Sequence, residues 1–582
     1  MAKLIIGTNR DEVEGVARGV ADSFHRTAQV DGDFGSAVAF GKLGIPTQNI
    51  FCCEDGFAIG IGTYIYEGQL DSNALQKIYD VFSGNVRELQ ERVIGNYALA
   101  IWKQGKLVVF VDPNAIQDLY YLIDDESALI CNSLYHLGKA SESPALNSYA
   151  MIQQLFQLCV VGNESLLEGV LRLDGNHAIF FDDGLWTIDA LPHLDMAVKG
   201  DASLSAAIIE RFSSIKDSFA MPAVAMTGGQ DSRLALSALL GAGLKPGLVY
   251  WRGNSISTNT KEQDYECVQQ IAVRCGLDVE EWDATDSSRE RYPMALAAFG
   301  EYTYLYGYNE NLMRSLMETK RDFITFGYFG EMFRNAEEIQ AYERESFSID
   351  ELFDDLYLRG SYKEIFPGYE AYRAHIVELL ADTCDRLEID KDNLSKSDFQ
   401  HINTEVYRKR ADIHMANFAN QFIYSFLVLG DRMLTDTTNR WGYAKRVGSR
   451  PALGTIQELT PALLEIPFYS HIRKMRVDPQ SLTLCEENPV RTKIKQRLQS
   501  NKKSAWYYPL ARKIYHLLNH DKKSLEEIGR EGDMRKPYLS ALKNADILAP
   551  VDRGALGQLE LDSNILQKIY QFEIMWQEIK KD

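Results

Sequence analysis

The chain has 582 residues, more than one hydrophobic core organises at roughly 100–200 residues per domain. Its 45% hydrophobic, 11% aromatic and 25% charged residues exclude wholesale disorder, a collagen-like repeat and a disulfide scaffold. Lys and Arg number 62 against 82 Asp and Glu, and a net charge of −20 repels nucleic acid and anionic lipid, so neither is expected as a partner.

The opening MAKLIIGTNRDEVEG lacks the long apolar run of a signal peptide, and no window reaches 18 apolar residues. The eight cysteines form no CxxC pair and no Cys/His cluster at zinc spacing, so a reducing cytoplasm is the expected home. From residue 1 to about 195, short apolar runs (KLIIGT, GFAIGIGTYIY, NYALAIWKQGKLVVFVD, HAIFFDDGLWTID) alternate with Gly and Asp-Gly turns, which predicts a β-rich layer with helices near 72–82 and 147–158. The stretch 196–204 lacks periodicity and reads as a linker into a helix. PAVAMTGGQDSRLALSALLGAGLKPGLVYW then reads as strand, Gly-Gly turn, helix ended by Gly241, and strand, a βαβ unit for a parallel sheet. Beyond it, periodic stretches at 262–275, 369–389, 403–430 and 491–518 predict long helices. LDSNALQKIY at 70–79 and LDSNILQKIY at 561–570 agree at nine of ten positions, which reads as a reused Asp-Ser helix cap rather than a repeat architecture.

The residues Thr227-Gly228-Gly229-Gln230-Asp231-Ser232 carry the sharpest chemistry. Two glycines let backbone N–H groups approach an anion, and the helix that follows adds its positive end. There is no GxxxxGK[ST] and no GxGxxG at this turn. Thr227 and Ser232 can donate to phosphate oxygens, whereas Asp231 repels phosphate unless a divalent cation intervenes, making it a Mg²⁺ candidate. An ordinary Gly-Gly turn with Asp as helix cap is the plain alternative.

The hexapeptide resembles the SGGxDS pyrophosphate loop of the asparagine synthetase family, which includes β-lactam synthetases and lasso-peptide cyclases. Further matches follow in order along the chain. Gly95-Asn96-Tyr97-Ala98 with KLVVFVDPNAIQDLYYL resembles the family's glutaminase-type domain. Gly327-Tyr328-Phe329-Gly330-Glu331 resembles its G-[EY]-G-A-D loop, FLVLGDRM its LLxxxDRM helix, and Lys503-Ser-Ala-Trp506-Tyr-Tyr-Pro509 its K-Q-G-F-x-x-P. The resemblance implies an α+β, N-terminal-nucleophile-type glutaminase-like sandwich over 1–195. Over 205–582 it implies an α/β, PP-loop ATP-pyrophosphatase domain with a helical C-terminal extension.

It implies an ATP- and Mg²⁺-dependent ligase that adenylates a carboxylate, releases pyrophosphate and joins the acyl group to an amine. In that reading the 227–232 loop holds the nucleotide, Asp231 and Glu331 the metal, Tyr328 assists deprotonation and Lys503 (or its neighbour Lys502) steadies the oxyanion. Glu262 and Glu266, one helical turn apart, are secondary candidates. The basic stretch 491–523 carries ten Lys/Arg against Asp521 alone and reads as a triphosphate cap or a solvated face.

Two departures matter. Ala2 follows Met1 where glutamine-using members place a nucleophilic Cys, and Pro451-Ala-Leu-Gly454 lacks the Asp of the family's PFLD motif. The first, with Tyr328, favours an amine on the substrate over ammonia, and hence lactam or macrolactam closure as in lasso cyclases, with a precursor peptide, a leader-binding protein and a protease as companions. Two rivals stay open: an ammonia-dependent amidotransferase acting on a small acid, and a catalytically dead assembly protein.

Overall fold

The computed structural model describes residues 2–124, 126–157, 159–199, 203–252, 262–283, 310–335, 337–340, 342, 344–357, 360–470, 473–478, 480–486, 545–558 and 563–581. The leading half builds two antiparallel six-stranded sheets. The first runs Leu171–Arg172, Tyr120–Ile123, Ala128–Cys131, Lys3–Gly7, Gly35–Phe40, Arg26–Gly32. The second runs Leu185–Ala190, His177–Asp182, Lys106–Val111, Ile94–Lys103, Gly56–Ile65, Ile50–Cys53.

Strand alternation decides the layers. Leu4 and Ile6 join Ile59, Ile61, Ala98 and Val109 between the sheets, while Ile5 turns to the opposite core. Helices Asp71–Val81 and Val86–Arg92 cover the outer face of the second sheet, with Leu75, Ile78 and Leu89 against Leu99 and Phe110. Helices Arg10–Ala21 and Leu134–Ala140 belong to the core on the outer face of the first. Arg10–Ala21 starts where Asn9 accepts from the N–H groups of Asp11 and Glu12, and buries Val13, Val16, Ala17 and Val20 at helical spacing. Four layers result, helix, sheet, sheet, helix, matching the expected α+β sandwich.

The second half is built around a five-stranded parallel sheet in the order Val279–Asp283, Gly247–Arg252, Pro222–Ala225, Phe323–Thr325, Tyr424–Ser425. From Pro222–Ala225 the chain steps outward through Gly247–Arg252 to Val279–Asp283, then returns to the other side as Phe323–Thr325. The strand order therefore reverses between Pro222–Ala225 and Phe323–Thr325. Loops leaving the carboxyl ends of such a pair diverge and open a crevice, the usual ligand site of open α/β sheets.

Three expectations need correction. The stretch 403–430 is not one helix: a wide turn at Asn403–Arg408 and short helices at Lys409–Ala411 and His414–Ala419 lead into the strand Tyr424–Ser425. Its residues 415–430 are buried on every side, so no solvent face imposes a helical period; Asn417 donates to the carbonyl of Ile116 at 2.6 Å, and the Leu427 N–H donates to Asn96 at 2.7 Å. FLVLGDRM is likewise no helix but a turn into one, with Asp431 capping Arg432–Asn439 through the N–H of Met433. Asp71 caps nothing, since it stands at φ 53° and its carboxylate accepts from Tyr424 Oη at 2.7 Å.

These bonds tie the halves together. Asn420 Oδ1 accepts from Thr63 Oγ1 at 2.7 Å and from the Ser425 N–H at 2.9 Å, and Leu43 and Gly44 donate their N–H groups to the carbonyls of Gln421 and Phe422. The closing helix Ser563–Ile579 lies against Leu134–Ala140, where a Cβ on Gly138 would stand 3.0 Å from Ile579. Among the described residues no helix is long and apolar enough to cross a membrane.

Candidate active site

The strand Pro222–Ala225 delivers residues 227–232 to the crevice. Thr227 and Ser232 turn their hydroxyls on each other, 3.2 Å apart, and Thr227 Oγ1 accepts from the Gly229 N–H at 3.1 Å. The helix Gln230–Gly241 opens on Gly229 with no side-chain cap, so its first N–H groups are left for another acceptor. Asp231 sits in the first turn of this helix instead of capping it.

Arg233 holds the loop from behind. Fully buried, it donates to the carbonyls of Leu463 (3.0 Å), Ile466 (2.7 Å), Gly228 (3.4 Å) and Pro467, and stacks on Phe468 at 3.8 Å. The Tyr469 N–H donates to Gly228 O at 2.8 Å. A Cβ on Gly228 would stand 2.6 Å from Asp264 Oδ1, so the carboxylate that faces the loop from the helix Glu262–Cys275 is Asp264. Glu266 is exposed, and the side chain of Glu262 lies outside the described residues.

The strand Phe323–Thr325 brings 327–331 directly onto this loop. A Cβ on Gly327 would lie 2.5 Å from the Ser232 nitrogen, and one on Gly330 would lie 2.3 Å from Asp231 Cβ, so both contacts require glycine. Between them Phe329 adopts φ 68°, a left-handed conformation costing of order 1–3 kcal/mol in a residue other than glycine. Its ring is fully buried and its N–H donates to Asp412 Oδ2 at 3.2 Å, which hold it there.

Charge concentrates at the seam. Arg334 Nη2 lies 3.3 Å from Asp231 Oδ2 and 3.0 Å from Glu331 Oε1, so a single nitrogen bridges the two carboxylates. Arg408 pairs with the other oxygen of Glu331 and, at 3.4 Å, with Asp412 Oδ1. Asp231 Oδ1 is inaccessible to solvent and has no partner, although the side chain as a whole is 29% exposed. Burial raises the Asp231 pKa, opposed by Arg334 and reinforced by the charge of Glu331. Burial works against the Arg334 charge as well, yet Asp231 and Glu331 hold its pKa above the usual value.

Tyr328 is half-buried with its ring 5.9 Å from Phe326, which in turn meets Trp251 at 5.7 Å. Lys502, Lys503 and the basic stretch 491–523 lie outside the described residues. Gly454, at the place of the missing PFLD aspartate, lies in the helix Arg450–Leu459, and a Cβ added to it would meet nothing within 4 Å. Ala2 is buried, its N–H donated to Phe40 O at 3.2 Å.

Asp231 and Glu331 therefore do come together, and both are hard oxygen donors. Among the described residues no group of three or more His, Cys, Asp or Glu makes a closed metal cage. An unpartnered carboxylate oxygen beside a second carboxylate fits an ion of the Mg²⁺ kind that takes its remaining ligands from phosphates and water. Sequence reasoning missed Arg334, Arg408, Asp412, Asp264 and Arg233. Arg334 stands three residues after Glu331, and Arg408 four before Asp412, spacings that bring opposite charges together on a helical turn.

No family model matches the chain, and no curated protein matches it. Among solved structures it is similar to the glutamine phosphoribosylpyrophosphate amidotransferase of B. subtilis complexed with ADP and GMP, at TM-score 0.23 and 8% identity over 48% of this chain. That overlap spans 65% of the amidotransferase chain. It is also similar to the glutamine-dependent NAD⁺ synthetase of Acinetobacter baumannii in complex with ADP, at TM-score 0.13 and 16% identity over 28% of this chain and 39% of the other.

Proposed function

We propose that the chain is an ATP-dependent carbon-nitrogen ligase that adenylates a substrate carboxylate and passes the acyl group to an amine, releasing pyrophosphate and then AMP. The observation that carries this reading is the seating of residues 327–331 on 227–232 where the parallel strand order reverses. There, uncapped helix N–H groups face the crevice and the two carboxylates share one guanidinium. The motif order along the sequence supports the same reading.

The backbone N–H groups of Gln230 and Asp231, in the uncapped first turn, bind the pyrophosphoryl end, and Arg233 keeps that loop rigid so that little ordering remains on binding. Asp231 and Glu331 would hold Mg²⁺, which would supply charge neutralisation on the leaving pyrophosphate. Arg334 must then exchange its carboxylate partners for phosphate oxygens, a shift its planar fork suits. Tyr328 orients the attacking amine and assists its deprotonation, and Lys503 steadies the oxyanion. The finer form of the proposal is intramolecular ring closure on a peptide, served by a leader-binding partner and a protease; Tyr328 supports it.

Calorimetry with Mg²⁺ and a non-hydrolysable ATP analogue tests the reading, comparing wild type with Asp231→Ala. Binding by the wild type that weakens at least about tenfold, or about 1.4 kcal/mol, in the variant is expected. No binding by folded wild type, or equal binding by both, would sink it. AMP release with ammonium and no amine would instead favour the ammonia-dependent amidotransferase.

A further inference from the structure

A cavity of about 60 Å³ lies between the leading half and the segment that follows Arg408, lined by Asp118, Cys159, Glu164, Arg172, Arg410 and His414 among others. At roughly 10–15 Å³ for each water-sized centre, it holds about four to six such positions, enough for a ligand of a few non-hydrogen atoms and too small for a nucleotide or a peptide.

Two of the side chains in its wall are guanidinium groups. Arg172 is 5% exposed; its Nε donates to Asp118 and its Nη2 to the carbonyl of Ala115, but its Nη1 has no partner. Arg410 donates to Asn163 Oδ1 at 2.9 Å and forms no ion pair among the described residues. The wall's acids are already engaged. Asp118 accepts from Arg172 and, at 3.4 Å, from Asn417, while Glu164 lies 3.1 Å from His375 Nε2. Burial pushes the Cys159 thiol up to about 12 and the His414 imidazole down to about 4, so neither adds charge at neutral pH. Behind the wall, Lys568 donates to the carbonyl of Gln154 at 3.3 Å.

We propose that this cavity is a binding site for a small carboxylate, held by the guanidinium groups of Arg172 and Arg410. A guanidinium matches a carboxylate in plane and in donor spacing. Arg410 in its wall lies between Arg408 and Asp412, the pair that holds Glu331 and Phe329. The site is separate from the nucleotide loop and does not rest on the ligase reading.

The test is a titration of the full chain with sodium acetate, followed by calorimetry and by the thermal midpoint, with sodium chloride and ethylammonium chloride as controls. Saturable acetate binding that weakens at least tenfold in Arg410→Gln, and persists in Asp231→Ala, is the expected result. Arg410 is half-buried and supports no buried pair, so its variant keeps the fold. Acetate binding unchanged in Arg410→Gln, a midpoint shift matched by chloride, or no acetate binding at all would each overturn the proposal. Loss of nucleotide binding in Asp231→Ala with acetate binding intact separates this site from the ligase site.

Discussion

Two aspartates sit on the turns that leave buried strands, and the fold treats them in opposite ways. Asp112, directly after Lys106–Val111, accepts from the backbone N–H groups of Tyr97 (3.3 Å), Asn114 (3.2 Å), Ile116 (3.1 Å) and Gln117 (2.9 Å). Asp231, just past Pro222–Ala225, keeps one oxygen without a partner and shares the other with a single arginine. Burial raises the pKa of both. A carboxylate whose lone pairs are all spent on local backbone belongs to the architecture, whereas one left short of partners in a crevice is kept for a ligand.

The sharpest way to break that contrast is Asp112→Ala. It strands four donors, each worth about 1–3 kcal/mol when left buried without an acceptor, and is expected to cost more than about 4 kcal/mol in urea denaturation. Nucleotide affinity per folded molecule should stay unchanged. A loss below about 1 kcal/mol would mean that Asp112 is no more structural than Asp231.

Glu405 is the intermediate case, a buried carboxylate satisfied by cations instead of amides. Its Oε1 lies 2.6 Å from Lys409 Nζ. Burial raises its pKa, but Lys409, Arg432 and Arg386 together bring it down to about 2, from an ordinary 4.5. Because the folded value lies below the unfolded one, its stabilisation is complete above about 4.5 and is lost as pH falls toward 2. Glu405→Gln should cost about 3 kcal/mol at pH 7 by leaving Lys409 buried without its counter-ion, and should flatten the acid limb of the stability curve. An unaltered acid limb would show that other carboxylates set it.

Arg334→Gln sharpens the functional side. It removes the guanidinium shared by Asp231 and Glu331, so Mn²⁺ binding in the absence of nucleotide, read by electron paramagnetic resonance, should tighten about tenfold, or about 1.4 kcal/mol. Affinity for the ATP analogue should fall at the same time. Unchanged Mn²⁺ affinity would mean that the two carboxylates do not address a cation.

How much of this was legible in the sequence depends on the range of the cause. The strand-turn-helix at 222–241 was readable because apolar run, Gly-Gly turn and helix end lie within twenty residues, whereas the nearness of Asp231 and Glu331, which share Arg334, was implied only by the family resemblance. The four layers of the leading half were half-visible, since period-two runs announce strands but not which face of each sheet is covered by helices. Residues 403–430 misled because burial on all sides erases the polar stripe that marks a helix, and the strand Tyr424–Ser425 is fixed by its neighbour Phe323–Thr325, a hundred residues away. Phe329 was opaque for a related reason: its left-handed backbone is imposed by Asp412 and by the packing of Gly327 and Gly330, none of which a local propensity encodes.

The smallest expected effect is the most discriminating. Asp231→Asn keeps the size of the side chain, removes a charge that burial and Glu331 both disfavour, and leaves Arg334 paired with Glu331 at 3.0 Å. No backbone donor loses its acceptor, because none donates to this carboxylate. The two consequences oppose each other: one weakened ion pair with Arg334, worth roughly 0–1 kcal/mol at this exposure, against relief of a partly buried charge. Stability should therefore move by less than about 0.5 kcal/mol in either direction, while binding of the Mg²⁺-nucleotide weakens at least tenfold. A large stability loss with nucleotide binding retained would make Asp231 a second Asp112, and the crevice at the strand reversal would lose its claim to be a site.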